Sequence, residues 1–162
     1  MGENRAQSLR DLESEVGILV RRIRRVLWVR ARAVHEDLQP SGYLILGSIE
    51  REGPVRASVI AEQFDLDKGA VSRQVKHLVS LGLIEVEKDP TDARAVLISV
   101  TPEARTRMAD VAAHRHKGLS ERLADWTDDE LASFAGELGR YNRALELAPH
   151  PEAEALSSAG LS

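Results

Sequence analysis

The stretch DKGAVSRQVKHLVSLGLIEVE, residues 67–87, changes its hydrophobic period in the middle. Up to Leu81 the apolar side chains recur at helical spacing. Val71, Val75, Leu78 and Val79 fall on one face of a helix predicted over Lys68–Leu81. Asp67 stands where an N-cap accepts from free backbone N–H groups, and Gly82 where a helix end takes a left-handed residue. Beyond Gly82 the period falls to two, and Leu83-Ile84-Glu85-Val86-Glu87 reads as a strand. Ala95-Val96-Leu97-Ile98-Ser99-Val100 reads as its return strand. Lys88 to Arg94, with Pro90 and two aspartates, reads as a turn with an extended tip.

Upstream, a short helix is predicted over Ala57–Phe64, burying Ile60, Ala61 and Phe64, with Asp65-Leu66 as a tight connection. Before it, Gln39-Pro40-Ser41-Gly42 opens a helix over Ser41–Arg51 that offers Leu44, Ile45 and Ile49 to the core, and Glu52-Gly53-Pro54 ends it. Leu9, Leu12, Val16, Leu19, Ile23 and Val26 are spaced as a heptad seam on one long helix ending near His35, and such a seam needs a partner. Downstream, Thr101-Pro102 supplies an N-cap and a first-turn proline for a helix running to about Asp125. Thr127-Asp128-Asp129-Glu130 fits a capping box for a last helix with Leu131, Phe134, Ala135, Leu138, Tyr141, Asn142 and Leu145 along one stripe, stopped by Pro149. The order is helix, helix, helix–turn–helix, hairpin, helix, helix. A hairpin directly after a helix–turn–helix is the winged form of that motif. The expected fold is therefore mainly α with a small β-hairpin wing. Residues 37–101 form the winged helix-turn-helix, 1–36 and 102–148 a separate helical layer, and 149–162 an Ala/Ser/Pro-rich tail that reads as disordered.

Composition agrees with a helical protein that buries a core: 43% of residues are apolar and only 4% aromatic. The chain has no cysteine, which excludes disulfides, thiolate metal sites and thiol nucleophiles. Nothing approaches the ~20 apolar residues of a membrane span, and the N-terminus carries no apolar signal core, so a soluble cytoplasmic protein without membrane association is expected. Net charge is −4, but it is unevenly spread. Residues 1–36 hold eight Arg against five acids, and Lys68 to Ile84 hold no acid at all. A local basic face on an acidic protein still binds phosphate, because screening limits distant charges to about 8 Å of influence.

On the helix predicted over Lys68–Leu81, the face opposite the valines carries Gly69, Ser72, Arg73, Lys76, His77 and Ser80. The helix N-terminus favours a phosphate, and Gly69 lets the backbone approach it. Arg73 is suited to guanine in the major groove, Ser72 and Gln74 to base edges, and Lys76 and His77 to phosphates. Arg56, Ser58 and Lys68 complete the candidate DNA contacts around this helix. An ordinary solvated helix face is the alternative, against which stand the preceding turn, the following hairpin and the acid-free run. At the hairpin tip Asp92 and Arg94 are two apart, so the carboxylate is placed to brace the guanidinium and Arg94 to enter a narrow minor groove. A surface salt bridge is the plainer reading of that pair.

These residues carry a resemblance to the MarR family of bacterial transcription regulators. Ile60-Ala61-Glu62, Val71-Ser72-Arg73 with Leu78, Gly82-Leu83-Ile84, Asp89-Pro90-Thr91-Asp92-Ala93-Arg94 and Leu97 to Thr101 match its winged motif without a gap, and Asp92 with Arg94 is the most specific part. With the outer helices the resemblance covers about residues 8–147. It implies a homodimer built from first and last helices, a recognition helix at Lys68–Leu81, a ligand pocket between the dimer and DNA-binding layers, and repression relieved by ligand. The sequence departs from the pattern at Val86, where a basic residue is frequent, at Ala93, where a second Arg is common, and at Arg56, which replaces a Ser/Thr helix cap.

The first helix is crowded with Arg21, Arg22, Arg24, Arg25, Arg30 and Arg32, either a solvated or inter-subunit face or a source of ligands for an anionic effector. Trp28, Arg32, His35 and Tyr43 are the candidate walls of a pocket for an aromatic or anionic small molecule, and Trp28 and Tyr43 serve equally well as core. His114 and His116 are two apart on a predicted helix and point about 200° apart, so no metal site is expected. No phosphate loop, nucleophile–base set or cofactor motif is present, which argues against an enzyme. The expected function is a ligand-released, dimeric repressor of a pseudo-palindromic operator. The competing reading is a winged-helix module that binds protein, or DNA architecturally, without an effector.

Overall fold

Each element ends where its local chemistry ends it. The computed structural model describes residues 2–146, so the expected tail at 149–162, with Pro149, lies outside the described residues. Helix α1 spans Gly2–Val34, α2 Pro40–Glu52, α3 Ala57–Gln63 and α4 Lys68–Ser80. Strand β1 is Val55–Arg56, β2 Ile84–Asp89 and β3 Asp92–Val100; α5 is Pro102–Arg122 and α6 Asp128–Glu146. The chain divides within α5 into two units, one ending at Arg115 and the other beginning at His116.

In the first unit the core gathers Ala31, Val34 and Leu38 from the end of α1 and its loop, Ile45, Leu46 and Ile49 from α2, and Ile60, Val71 and Leu78 from the helix–turn–helix. Leu83, Ile84, Ile98 and Val100 from the base of the hairpin close it. Leu44 was expected there and is instead exposed, because it stands about 140° round the helix from Ile49, whereas Leu46, about 60° from Ile49, fills the place. Gly42 is buried where α2 meets its neighbours: a Cβ there would lie 2.9 Å from Leu38 Cδ1 and 3.2 Å from Leu78 Cδ2.

The turn into α4 and the exit from it follow the sequence reading. Asp67 accepts a 2.7 Å hydrogen bond from the Ala70 N–H, capping the helix. Gly82 has φ +69°, its N–H reaches the Val79 carbonyl and the Leu83 N–H reaches that of Leu78, so two orphan carbonyls are satisfied as the chain reverses. Asp65 also takes a positive φ, 49°, in the α3–α4 turn, a conformation Asp tolerates better than most residues.

The sheet has three strands, not the two of the expected hairpin, in the order β1-β3-β2 and all antiparallel. β1 is too short to show periodicity, and it pairs Val55 with Ile98 and Arg56 with Leu97. β2 and β3 reach farther toward the tip than expected, to a two-residue turn at Pro90-Thr91. Their ladder runs regularly from Ile84–Val100 to Lys88–Val96 and then jumps to Asp89–Asp92, leaving Ala93, Arg94 and Ala95 as surplus residues on β3. Val86 and Val96 are exposed, so only the base of the hairpin is held by the core.

α1 is continuous, and of its heptad seam Leu9, Leu12, Leu19, Ile23 and Val26 are exposed. In the second unit α5 stops at Arg122, short of the expected Asp125, in a turn where the Trp126 N–H reaches the Leu123 carbonyl. α6 opens with the reciprocal capping box: Glu130 donates its N–H to Thr127 Oγ1, and the Thr127 N–H donates to Glu130 Oε2 at 2.8 Å. The Thr127 N–H, joined by the Thr127 hydroxyl donating to the same oxygen at 2.9 Å, holds the Glu130 carboxyl below its ordinary range. Trp126 meets Phe134 edge to face at 5.6 Å, while Phe134, Leu138 and Leu145 remain exposed along α6. Among the described residues no helix is long and apolar enough to cross a membrane.

Candidate nucleic-acid interface

α4 presents the face expected of it. Val71 and Leu78 are buried and Val75 half-buried; Val79, expected on that side, is 45% exposed at its edge. Lys68, Gly69, Ser72, Arg73, Lys76 and Ser80 are exposed on the other side. Lys68, Arg73 and Lys76 make no ion pair among the described residues, and α4 carries no acid between Lys68 and Ser80; beside it stand the capping Asp67 and the exposed Glu62 of α3. The Arg73 side chain lies back along the helix: a Cβ at Gly69 would be 3.3 Å from Arg73 Nη1 and 3.0 Å from Asp67 Oδ1. Gly69 thus leaves room for the guanidinium as well as for a close backbone approach.

Two members of the expected set face partly inward. Gln74 is half-buried, and its amide donates to Ser41 Oγ at 3.3 Å, which ties α4 to the first turn of α2. His77 is half-buried at the side of the helix, and its carbonyl accepts from Ser80 Oγ. Ser58 is exposed on α3, where it lines an apolar cavity of ≈ 760 Å³ whose rim also carries Lys68, Ser72 and Lys76. Val75 and Val96 also line it, so the cavity extends from α4 to the wing.

The wing tip is organised differently from the expected brace. Asp92 Oδ1 accepts from the backbone N–H of Arg94 at 3.0 Å; it does not bind the Arg94 guanidinium, because a residue two along a bent tip brings its N–H, not its side chain, back to the carboxylate. The cation Asp92 faces is Arg56, whose Nη1 lies 3.9 Å from Asp92 Oδ2. Arg94 is exposed, within the surplus residues of β3.

Sequence reasoning missed Asp89. It is 6% exposed and accepts from Thr91 Oγ1 at 2.6 Å, from the Thr91 N–H at 2.8 Å and from Arg56 Nε at 2.8 Å. The Thr91 bonds, with help from Arg56, pull its carboxyl down to about 2, against the desolvation that opposes them. The available signal was Asp-Pro-Thr, a carboxylate two residues before a hydroxyl across a proline turn. Arg56 itself occupies the N-cap of α3 but makes no side-chain cap.

The residues expected to wall an effector pocket meet only in part. The Arg32 guanidinium lies 5.9 Å over the Trp28 ring, a cation–π contact on the surface of α1. His35 Nδ1 accepts from the Asp37 N–H at 3.2 Å and so shapes the α1–α2 loop. Tyr43 is half-buried against the core. Among the described residues no three His, Asp or Glu are grouped to hold a metal ion.

Comparison with known proteins places this arrangement. The family model described as MarR family matches residues 36–95. The HTH-type transcriptional regulator YxaD of Bacillus subtilis is 32% identical over 109 residues, covering 67% of this chain and 76% of that protein. The HTH-type transcriptional repressor MdtR of the same organism is 24% identical over 111 residues, covering 68% of this chain and 72% of that protein. A crystal structure of MarR superposes with a TM-score of 0.63 at 26% identity, covering 84% of this chain and 98% of that one. The acid-free helix, the hairpin that follows it and these matches lead to one conclusion: the chain belongs to the MarR family, DNA-binding transcriptional regulators built on a winged helix-turn-helix, and is not an enzyme.

Proposed function

We propose that the protein acts as a homodimer that represses transcription from a pseudo-palindromic operator and is released by an aromatic or anionic small molecule. The observation that carries this reading is the exposed, acid-free face of α4 beside a projecting wing. Arg73 and Ser72 read base edges in the major groove. Lys68, Lys76, His77 and Ser58 meet phosphates, Gly69 permits the close approach, and Gln74 sets α4 against α2 at the edge of the contact. Arg94 enters the flanking minor groove. Residues 37–101 are the DNA-binding domain. The uncovered seam of α1 and the stripe of α6, within 1–36 and 102–148, form the dimer layer and place two α4 helices in successive major grooves about 34 Å apart. Trp28, Arg32, His35 and Tyr43 belong to the effector site, where the Arg32–Trp28 pair offers both a cation and a ring. Effector binding changes the spacing of the two recognition helices.

The test is fluorescence anisotropy of the full chain against DNA flanking its own gene, in excess competitor, at several salt concentrations. Saturable binding to one palindromic segment with a steep salt slope is expected. Salt-sensitive binding without sequence preference would overturn the operator reading in favour of an architectural role. Operator affinity indifferent to every ligand the protein binds would overturn the effector reading.

A further inference from the structure

The side chain of Arg56, a donor with no acceptor to offer the free N–H groups of α3, points into the wing. Its backbone is extended, at φ −79° and ψ 153°, and pairs with Leu97 of β3. Its guanidinium reaches 33 positions along the chain to Asp89, with Nε 2.8 Å from Oδ2, and Nη2 lies 3.4 Å from Thr91 Oγ1. The third nitrogen, Nη1, faces Asp92 at 3.9 Å. One cation therefore lies between two carboxylates, and the charge it would offer a phosphate is already met.

The carboxylates differ in what else they hold. Asp89 is buried and closes the Pro90-Thr91 turn through both the N–H and the hydroxyl of Thr91. Asp92 grips the backbone N–H of Arg94. A continuous chain of polar contacts thus runs from Arg56, at the start of α3, to the backbone of Arg94, at the tip. It lies where the β2–β3 ladder loses its register and where the hairpin has left the core, Val86 and Val96 being exposed. Beyond Lys88–Val96 only the single pair Asp89–Asp92 continues the ladder, and the Arg56 network adds the polar contacts that hold this part of the wing.

We propose that Arg56 is a positioning residue for DNA binding: through Asp89 and Asp92 it fixes the wing tip so that Arg94 is presented to the minor groove, and it does not itself contact DNA. The inference rests on the proposal that Arg94 enters that groove. It reassigns Arg56 from the contacts expected of it, and it makes Asp89 and Thr91, two residues without basic character, part of the DNA-binding apparatus.

The experiment measures operator affinity of the full-length protein for Arg94→Ala, Arg56→Gln, Asp89→Asn, Thr91→Ala and the Arg56→Gln/Arg94→Ala double variant, with thermal unfolding of each. Arg94→Ala is expected to weaken operator binding about tenfold. Arg56→Gln, Asp89→Asn and Thr91→Ala are each expected to weaken it in the same direction, and the double variant to bind no worse than Arg94→Ala alone. Asp89→Asn is the sharpest arm. It removes a negative charge and frees Arg56, so tighter binding would make Arg56 a direct phosphate contact and overturn the proposal. Additive losses in the double variant would overturn it too, as would Arg56→Gln at full affinity beside a weakened Arg94→Ala. Should Arg56→Gln fail to fold, Thr91→Ala loosens the turn with the cation intact, and full affinity in that variant would overturn the proposal in its place. Arg94→Ala at full affinity would instead overturn the minor-groove reading itself, and the strut's role in binding with it. Hydroxyl-radical footprints supply a readout that a stability defect does not move: loss of protection confined to the flanking minor grooves is expected, and uniform loss across the operator would overturn the proposal.

Discussion

Arg73 and Lys76 stand almost a turn apart on the exposed face of α4, yet their charged heads differ in what they can recognise. A guanidinium forks onto two acceptors of one guanine, whereas an ammonium is a point charge suited to a phosphate. Arg73→Ala is therefore expected to cost about 1–3 kcal/mol and relax preference at one base position. Lys76→Ala is expected to weaken all sequences alike and to lower the salt slope by about one. Binding isotherms on operator variants over a salt series check both, and identical behaviour would sink the division of roles. Asp89 belongs to this scale as well. Its folded carboxyl titrates near about 2 against an ordinary 3.8, so the charged form stabilises the fold above that ordinary value. That contribution is lost as pH falls from about 3.8 through about 2, and it is complete and constant at neutral pH. The stability gap between wild type and Asp89→Asn, followed by thermal unfolding, is expected to be flat at neutral pH and to close on acidification. A gap that varies around neutrality would contradict the assignment. Arg73 and Lys76 were legible in the sequence because helical periodicity alone puts them opposite Val71 and Leu78. Asp89 was not, because its partner Arg56 is far away along the chain and only folding brings the two together.

At the scale of elements, α2 shows how one residue type takes opposite signs on one helix. Gly42 is buried between Leu38 and Leu78, both fully enclosed, and an added methyl would press on each. Gly47 has open space at the same position. Gly42→Ala is expected to destabilise by about 1–2 kcal/mol through overpacking, and Gly47→Ala to stabilise by about 0.5–1 kcal/mol through lower chain entropy. Denaturant unfolding distinguishes them, and a matching sign would refute the packing argument. The ends of α4 and α6 could be read from local sequence because a cap needs only three or four consecutive residues, as Asp67 with Ala70 and Thr127 with Glu130 show. The extent of the strands could not, since β1 exists only by pairing with β3 and the tip's register breaks at a turn stabilised from outside the hairpin.

For the whole molecule, the exposed seam of α1 is the largest consequence still to be tested. Leu9, Leu12, Leu19, Ile23 and Val26 line it at heptad spacing, and a partner helix would bury them. Ile23→Arg, toward the C-terminal end of the seam, is expected to convert the proposed dimer to a monomer in sedimentation velocity. Losing the second half-site should weaken operator binding by about a hundredfold or more. A dimer that survives the substitution would remove α1 from the interface.

The sequence by itself determined the helix order, the cap residues, the seam and the cationic face of α4, because each depends on spacing along a regular element, and a repeat of 3.6 or two residues fixes where side chains point. Tertiary structure decided the third strand, the burial of Leu46 in place of Leu44, the inward turn of Gln74 toward Ser41 and the wing's polar strut. Those features join groups from different elements. Their distances follow from how the helices and the hairpin pack, and no local period along the chain encodes them.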